Sequence, residues 1–402
     1  MSSGCTVMGY KMLTILIVIY VVFISLGLPD SLLGVAWPVL HGEMNLPESF
    51  ASVMSIIIGV CTGGVSFVSG TLIRKFGTAR VTLASIFVTS LGLIGISFSP
   101  NIVVMIIFSI ILGYGAGAID TGVNNFVSLH YNASHMNFLH CFWGVGVTVS
   151  PVIMSVFLSG EEGSWRNGYR VVALLQVLIA LSVVAVMKKW INAEKNTVSA
   201  DGADGEKEEK GFLEIIKIKG VPVSILSLGL YCSMEFICGT WGATYIVNTF
   251  ALAPSEAAKW VSLYYGGIML GRLVSGFVAT KLGDNRLIKL GIACSLIGII
   301  ILLLPVGKAS LAGFLVMGFG FGPVFPSVLH NIPERFGTKY SADITGFHMG
   351  GAYAIGFGFQ LAYGFMATAI TFKITGFLLL ALCGGLFLAN RSALKKIAET
   401  NS

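Results

Sequence analysis

Three carboxylic acids, Asp30, Asp120 and Glu235, stand inside long apolar stretches of the sequence. An ionised side chain in the hydrocarbon of a membrane costs about 2.5–3.5 kcal/mol on insertion scales, so such residues usually mark a functional site. A carboxyl group in a low-dielectric setting holds a proton more tightly than it does in water, and it can exchange that proton near neutral pH. We therefore predict proton carriage, with Asp120 as the first candidate, Asp30 as the second and Glu235 as the third.

A structural ion pair is the alternative for each acid. Arg272 also lies within an apolar stretch and is the natural partner. Because buried ion pairs perturb ionisation as coupling sites do, both interpretations stay open, most of all for Glu235.

The composition places these acids in a membrane protein. Hydrophobic residues make up 55% of the 402 residues and charged residues 11%, with a mean hydropathy of +0.85. Soluble domains average about 25% charged residues, and so few charges cannot cover a water-facing surface. This disfavours a soluble enzyme, a nucleic-acid binder and a disordered scaffold. The cysteines form no CxxC pair and the histidines no HExxH motif, so we expect no metal site.

Apolar stretches long enough to cross a bilayer recur along the chain. We predict twelve spans, at residues 12–40, 48–73, 79–98, 101–130, 137–159, 168–189, 219–247, 256–281, 286–306, 309–331, 341–369 and 371–390. A charged stretch, 190–218, divides them six and six. The predicted domains are an N-terminal six-helix bundle at 1–189, a cytoplasmic linker at 190–218 and a C-terminal six-helix bundle at 219–402. Within the linker, Gly211–Lys219 has the pattern of a short interfacial helix.

The basic residues orient the chain. With twelve spans and both termini on one side, 19 Lys and Arg fall on that side, five on the other and Arg272 within a span, which accounts for all 25. The positive-inside rule then places both termini in the cytoplasm of a plasma-membrane protein.

The two halves repeat each other at an offset of about 205 residues. Four pairs match in chain order: Asp30 with Glu235, Gly70–Arg80 with Gly276–Arg286, the glycines of Gly113–Gly117 with those of Gly318–Gly322, and His140 with His348. We interpret this as a duplicated six-helix unit. Two such bundles joined by a linker are a known transporter design, with the site between them near mid-membrane.

The repeated loop resembles the cytoplasmic signature of the major facilitator superfamily between helices 2 and 3. The residues that carry this resemblance are Gly70, Arg74, Lys75, Gly77, Arg80, Gly276, Lys281, Gly283 and Arg286. The resemblance implies an all-α membrane protein with the major facilitator fold and assigns these residues to a gating loop. The customary aspartate of the signature is Arg74 in the first copy and Thr280 in the second.

Within that superfamily the chain is most similar to the fucose permease group of sugar–proton symporters. The run from Asp120 to Val127 is similar to the group's acid-Thr-x-x-Asn-x-Phe-Val pattern, with Asn124 at the amide position. Asp30 matches an aspartate of the first helix, and Asn137–His140 is similar to Asn-Leu-Ala-Gln at the start of the fifth. The resemblance implies sugar transport.

Candidate substrate groups are amides, imidazoles and aromatic rings in the predicted spans. Amides and imidazoles hydrogen-bond hydroxyls, and a ring face packs on the apolar face of a sugar. The candidates are Asn124, Asn125, Asn137, His140, Gln176, His348, Gln360, Trp37, Trp143, Trp241 and Tyr245. For the histidines, a helix-to-helix hydrogen bond is an equal alternative, and for the aromatic residues a lipid-facing anchor is one.

These observations predict a monomeric secondary transporter that imports a sugar-like solute by proton symport, without an organic cofactor and without a nucleic-acid partner. Two alternatives keep the fold: a sodium-coupled sugar carrier and an exporter of amphipathic compounds. A third, a membrane-embedded acyltransferase using His140 and Asp120, is disfavoured because an enzyme has no evident need for two equivalent halves.

Overall fold

The computed structural model describes residues 2–130, 133–159, 165–198, 216–336 and 341–401, and all regular secondary structure within them is helical. Ten helices in these ranges are long and apolar enough to cross a membrane. The protein is therefore a multi-pass membrane protein. Helix occupies all twelve predicted spans, but 48–73 and 341–369 are not among the ten, and the count of twelve stays a prediction.

The chain divides into two compact units. The first unit comprises Met1–Leu32 and Ile56–Lys207, and the second comprises Leu33–Ser55 and Glu208–Ser402. The predicted domain boundaries at 189 and 219 stay a prediction.

The first unit contains most of the N-terminal helices. They are α1 (Ser2–Asp30), the greater part of α3 (Phe50–Phe76), α4 (Thr78–Phe98), α5 (Ile102–His130), α6 (Ala133–Phe157) and α7 (Trp165–Val198). Its core is a cluster of buried aliphatic and aromatic side chains that includes Phe23, Phe126 and Trp190.

The second unit begins with α2 (Leu32–Glu43) and the first turns of α3. It continues with α8 (Val221–Phe250), α9 (Pro254–Leu282), α10 (Asp284–Leu303), α11 (Ala312–Phe321), α12 (Val324–His330), α13 (Ile332–Phe336), α14 (Ser341–Ala369) and α15 (Thr375–Asn401), with 3-10 turns at Gly307–Leu311 and Phe372–Ile374.

Two predicted spans are interrupted rather than continuous. The first breaks at Ser31, between α1 and α2, two residues after Pro29. The tenth breaks at Gly322–Pro323, between α11 and α12. Proline removes a backbone donor and its ring clashes with the carbonyl four residues earlier, which is why both interruptions stand beside a proline.

The helix α7 extends further than the sequence indicates. It runs to Val198, into the segment predicted as linker, because its last turns pack on the protein. Trp190 is fully buried beside Phe126, with ring centroids 5.5 Å apart. Residues 199–215 of the linker lie outside the described residues. Residues 211–215, the first part of the predicted interfacial helix, lie outside the described residues as well. Its last part is not helical, because Lys217–Gly220 forms a turn.

Glycine lets helices in each unit approach backbone to backbone. A Cβ at Gly27 on α1 would meet the carbonyl oxygen of Trp143, and one at Gly146 on α6 would meet that of Ile24 and, at 2.9 Å, the amide nitrogen of Leu28. The glycine runs behave alike: Gly113 faces Ile58 of α3, and Gly318 faces Tyr264 of α9. Both runs therefore serve close helix packing.

The contact at Gly146 gives a stability prediction. Gly146→Val should force α1 and α6 apart and cost about 1–3 kcal/mol, because the added methyl groups have no space. We expect a lower midpoint of thermal unfolding in detergent. Gly63→Val on α3 is the matched control, since a Cβ there meets nothing within 4 Å, and an equal loss in both variants would contradict the packing argument.

Candidate functional site

Asp30 is the acid that the structure leaves exposed. It ends α1, and its Oδ2 accepts a hydrogen bond of 2.8 Å from the indole Nε1 of Trp143 on α6. A donor at this distance stabilises the charged carboxylate. The first unit therefore carries, within membrane-length helices, an exposed acid that accepts a hydrogen bond from an aromatic side chain.

The close packing of α1 on α6 places this pair. The two helices run parallel, since Tyr20 contacts His135, Gly27 contacts Trp143 and Ser31 bonds Val147 in the same order along both. Ser31 Oγ donates to the Val147 carbonyl at 3.1 Å, at the point where α1 ends. Without a side chain at Gly27, the backbone of Trp143 lies against α1, and its indole reaches Asp30 one turn further on.

Further polar and aromatic groups line the same pair of helices. The Tyr20 hydroxyl lies 2.8 Å from His135 Nδ1, and the Tyr20 ring stacks on Phe142 at 4.7 Å between centroids. The His140 ring meets Phe23 edge-on at 5.7 Å. A hydroxyl, imidazoles and aromatic rings thus follow the α1–α6 pair, and such groups can contact both the hydroxyls and the apolar face of a solute.

The structure describes the side chains of only some of the other candidate residues in the first unit. Asp120 lies half-buried on α5, in the same unit as Asp30. The side chains of Asn124, Asn125 and Asn137 lie outside the described residues. Gln176 is buried and bridges two helices: its Oε1 accepts from Thr89 at 2.6 Å and its Nε2 donates to the Ser25 carbonyl at 3.0 Å.

Glu235 of the second unit is buried beside Arg272. Glu235 lies on α8 and is 8% exposed, Arg272 lies on α9 and is 5% exposed, and the Arg272 Nη2 to Glu235 Oε1 distance is 4.0 Å. This is the geometry of the ion-pair alternative. Glu235 is thus enclosed among second-unit helices, whereas Asp30 of the first unit is exposed.

His348 and Tyr245 are enclosed in the second unit as well. His348 is fully buried, with Nδ1 2.8 Å from the Ile344 carbonyl and Nε2 2.9 Å from Ser224 Oγ on α8. It therefore makes the helix-to-helix bond that was its alternative role. Tyr245 packs its ring against Phe250 and Phe314.

Gln360 and Trp241 belong to a buried polar cluster that sequence analysis did not assemble. Gln360 Nε2 donates to Thr240 Oγ1 at 2.9 Å, and Trp241 Nε1 donates to Ser52 Oγ at 3.1 Å. Ser52 in turn donates to the Gln360 carbonyl at 3.0 Å, and Ser55 Oγ lies 3.2 Å from Thr240 Oγ1. Ser52, Ser55 and Thr240 carry no motif, so only the packing of α3 on α8 and α14 reveals them. Trp37 is also buried, and its Nε1 donates to the Glu48 carbonyl.

In the first copy of the loop signature, Gly70–Arg80, an acid from outside the motif caps the helix that follows Gly77. Gly77 has φ +83°, which favours glycine, and the Glu194 carboxylate lies 2.8 Å from where its Cβ would be. The other Glu194 oxygen accepts from the Ala79 amide at 3.1 Å, at the N-terminus of α4. A carboxylate at this place accepts a hydrogen bond from a backbone N–H that has no partner within the helix, and it interacts favourably with the positive end of the helix dipole. Sequence analysis missed Glu194, because the signature places no acid at that distance.

The second loop copy is built from different partners. Gly283, at φ +74°, precedes α10, and Asp284 Oδ2 lies 2.7 Å from His330 Nδ1. Arg335 donates from Nη2 to Asn285 Oδ1 at 2.7 Å. The basic motif residues Lys75, Arg80, Lys281 and Arg286 are exposed, and Gly276 is half-buried. The burial of Gly70 and the side chain of Arg74 lie outside what the structure describes.

The chain is similar in sequence to a known protein family and to several of its members. The family model described as Major Facilitator Superfamily matches residues 19–361. The glucose/mannose transporter GlcP of Bacillus subtilis is 23% identical over 338 residues, with 81% of each chain covered. The mouse sodium-dependent glucose transporter 1A is 23% identical over 373 residues, covering 83% of this chain and 85% of the relative.

Two solved structures are similar in fold. A bacterial homologue of the human lysosomal transporter Spinster, inward-facing and unoccupied, superposes with a TM-score of 0.69 at 13% identity, covering 97% of this chain and 98% of that one. The transporter FucP in the outward conformation gives a TM-score of 0.63 at 13% identity, covering 94% and 98%. At such identity these likenesses concern the fold.

The buried pair of the second unit yields a prediction. Arg272→Met should leave the Glu235 carboxylate buried without its ion-pair partner and destabilise the protein by about 3–5 kcal/mol. Combining it with Glu235→Gln should recover most of that loss, because both charges are then gone. Thermal unfolding of the single and double variants in detergent measures this, and strictly additive losses would show that the two side chains do not interact.

Proposed function

Since the chain belongs to the Major Facilitator Superfamily, we propose that it is a secondary active transporter that carries a sugar across the membrane together with a proton. Its family identifies it as a transporter rather than an enzyme. The proposal adds the solute and the coupling ion. It also retains the twelve spans in two six-helix bundles, the cytoplasmic termini, the plasma membrane and the monomeric state inferred from the sequence.

The contact between Asp30 and Trp143 carries the proposal. An exposed carboxylate in a membrane-length helix can gain and lose a proton, and the Trp143 indole N–H favours its charged form. A protonated Asp30 would instead donate a hydrogen bond, and a sugar hydroxyl is a suitable acceptor. Protonation would then change the affinity for the sugar, and binding of the two would be coupled reciprocally.

The surrounding side chains suit a sugar. Indole and phenol rings pack on the apolar face of a pyranose, and Trp143, Tyr20 and His140 follow the same two helices as Asp30. Several relatives are themselves described as glucose transporters. Asp120, half-buried in the same unit, is the second acid of this proposal, and Glu235 with its Arg272 partner is the third.

Replacing the exposed acid tests the proposal. In vesicles with purified protein and an imposed pH gradient, the wild type should accumulate one of D-glucose, D-mannose, D-galactose or L-fucose. Asp30→Asn should reduce that accumulation to the equilibrated level, because the variant cannot release a proton at this position. Exchange of labelled for unlabelled sugar should survive, since the amide still hydrogen-bonds hydroxyls.

Glu256→Gln is the matched control, because Glu256 is an exposed acid in the first turn of α9, a helix of the second unit. It should accumulate sugar as the wild type does. Undiminished accumulation by Asp30→Asn would refute the role of Asp30, and failure of the wild type with every sugar would refute the solute class.

Sodium coupling is the second candidate, favoured by the relative described as sodium-dependent. One experiment on the same vesicles distinguishes sodium coupling from proton coupling. At equal pH on both sides, an imposed sodium gradient should drive no accumulation if the proton is the coupling ion. Accumulation that requires sodium and ignores the pH gradient would favour the alternative.

A further inference from the structure

A basic groove lies where two long helices of the second unit end. It is formed by the turn that precedes α8 and by the C-terminal part of α15, and it has a volume of about 320 Å³. Its lining combines three lysines, Lys217, Lys219 and Lys396, with the apolar side chains of Ile216, Pro222 and Val223. No acidic residue lines it among the residues that the structure describes.

The turn is held in place by Ile218 and Gly220. Ile218 packs on the buried cluster of Val221, Ile225, Ile332 and Ile344, and its carbonyl accepts from the Val221 amide at 3.1 Å. Gly220 has φ +90°, and a Cβ on it would lie 2.9 Å from the Ile397 side chain of α15. The anchored Ile218 therefore directs its neighbours Lys217 and Lys219 outward, where both are exposed next to Lys396.

The groove lies at the level where helices leave the hydrocarbon. The membrane-length helix Val221–Phe250 begins directly after the turn, and the membrane-length segment Phe372–Ile397 ends beside it. Lysines at such helix ends place their ammonium groups among lipid headgroups, while apolar side chains at the same level contact the glycerol and upper acyl region. The N-terminus of α8 adds the positive end of a helix dipole.

We propose that this groove binds the phosphate headgroup of an anionic phospholipid. The ammonium groups of Lys217 and Lys219 complement the phosphate, and Ile216, Pro222 and Val223 complement the apolar part of the same molecule. A free phosphate would use only the lysines, so the mixed lining favours the lipid. This proposal does not depend on the transported solute or on the coupling ion.

Native mass spectrometry of the delipidated full-length protein tests the site. Dioleoylphosphatidylglycerol should bind the wild type with a defined first dissociation constant, and dioleoylphosphatidylcholine should bind more weakly. Lys217→Gln together with Lys219→Gln should weaken the phosphatidylglycerol by about fivefold per lysine. Lys217→Arg with Lys219→Arg should bind as the wild type does, because the charge is kept. Both side chains are exposed, so the fold should be unaffected.

The control removes the same charge elsewhere. Lys188 and Lys189 are exposed near the end of α7 in the first unit, and their double change to Gln should leave the dissociation constant unchanged. An equal loss in both double variants would show that general surface charge attracts the lipid, which overturns the site. Unchanged binding in the Lys217 and Lys219 variant would overturn it too. Displacement of the lipid by millimolar sodium phosphate alone would reassign the groove to a soluble anion.

Discussion

A polar group in a membrane-length helix is stabilised by a partner inside the protein, and such bonds connect helices in both units. No water in hydrocarbon replaces a missing hydrogen bond, so each unsatisfied group costs several kcal/mol. Gln176 shows the solution in the first unit, where one amide joins Thr89 of α4 to the Ser25 carbonyl of α1. In the second unit His348 joins α14 to α8 through Ser224. Gln176 and His348, two of the candidate substrate-binding residues, thus form hydrogen bonds that connect neighbouring helices.

Asp30 stands apart from this pattern. Glu235, His348 and Gln360 are buried with partners from neighbouring helices, whereas Asp30 has an indole donor and stays exposed. An exposed carboxyl group can change its protonation state with less rearrangement of its surroundings than a buried one, which is the basis of its proposed role. This difference in exposure gives Asp30 a stronger case than Glu235, although both match in the internal repeat.

The two copies of the loop signature share a backbone turn but place different carboxylates beside the helix that follows. Each turns at a glycine with positive φ, and each is followed by a helix whose first turn lies beside a carboxylate. In the first copy that carboxylate comes from Glu194 on α7, and in the second it is Asp284 of the loop itself, paired with His330. The customary aspartate is absent from both copies, and a different carboxylate stands beside the following helix in each, near the positive end of its dipole.

The sequence by itself determined what depends on composition and local order. Apolar length specified membrane helices, and the order of short motifs specified an internal repeat. The helices follow from the hydrophobic effect, which acts along each apolar stretch. The family could likewise be identified from short motifs.

Only the tertiary structure decided which polar groups meet. The apolar runs around Asp30 and Glu235 do not show which partner each acid meets. Their difference arises when α6 brings Trp143 to one and α9 brings Arg272 to the other. Ser52, Thr240 and Glu194 have no motif at all and acquire partners more than a hundred residues away in the chain. Hydrogen bonds and ion pairs act over a few ångströms of space, so their partners are settled by how the helices pack.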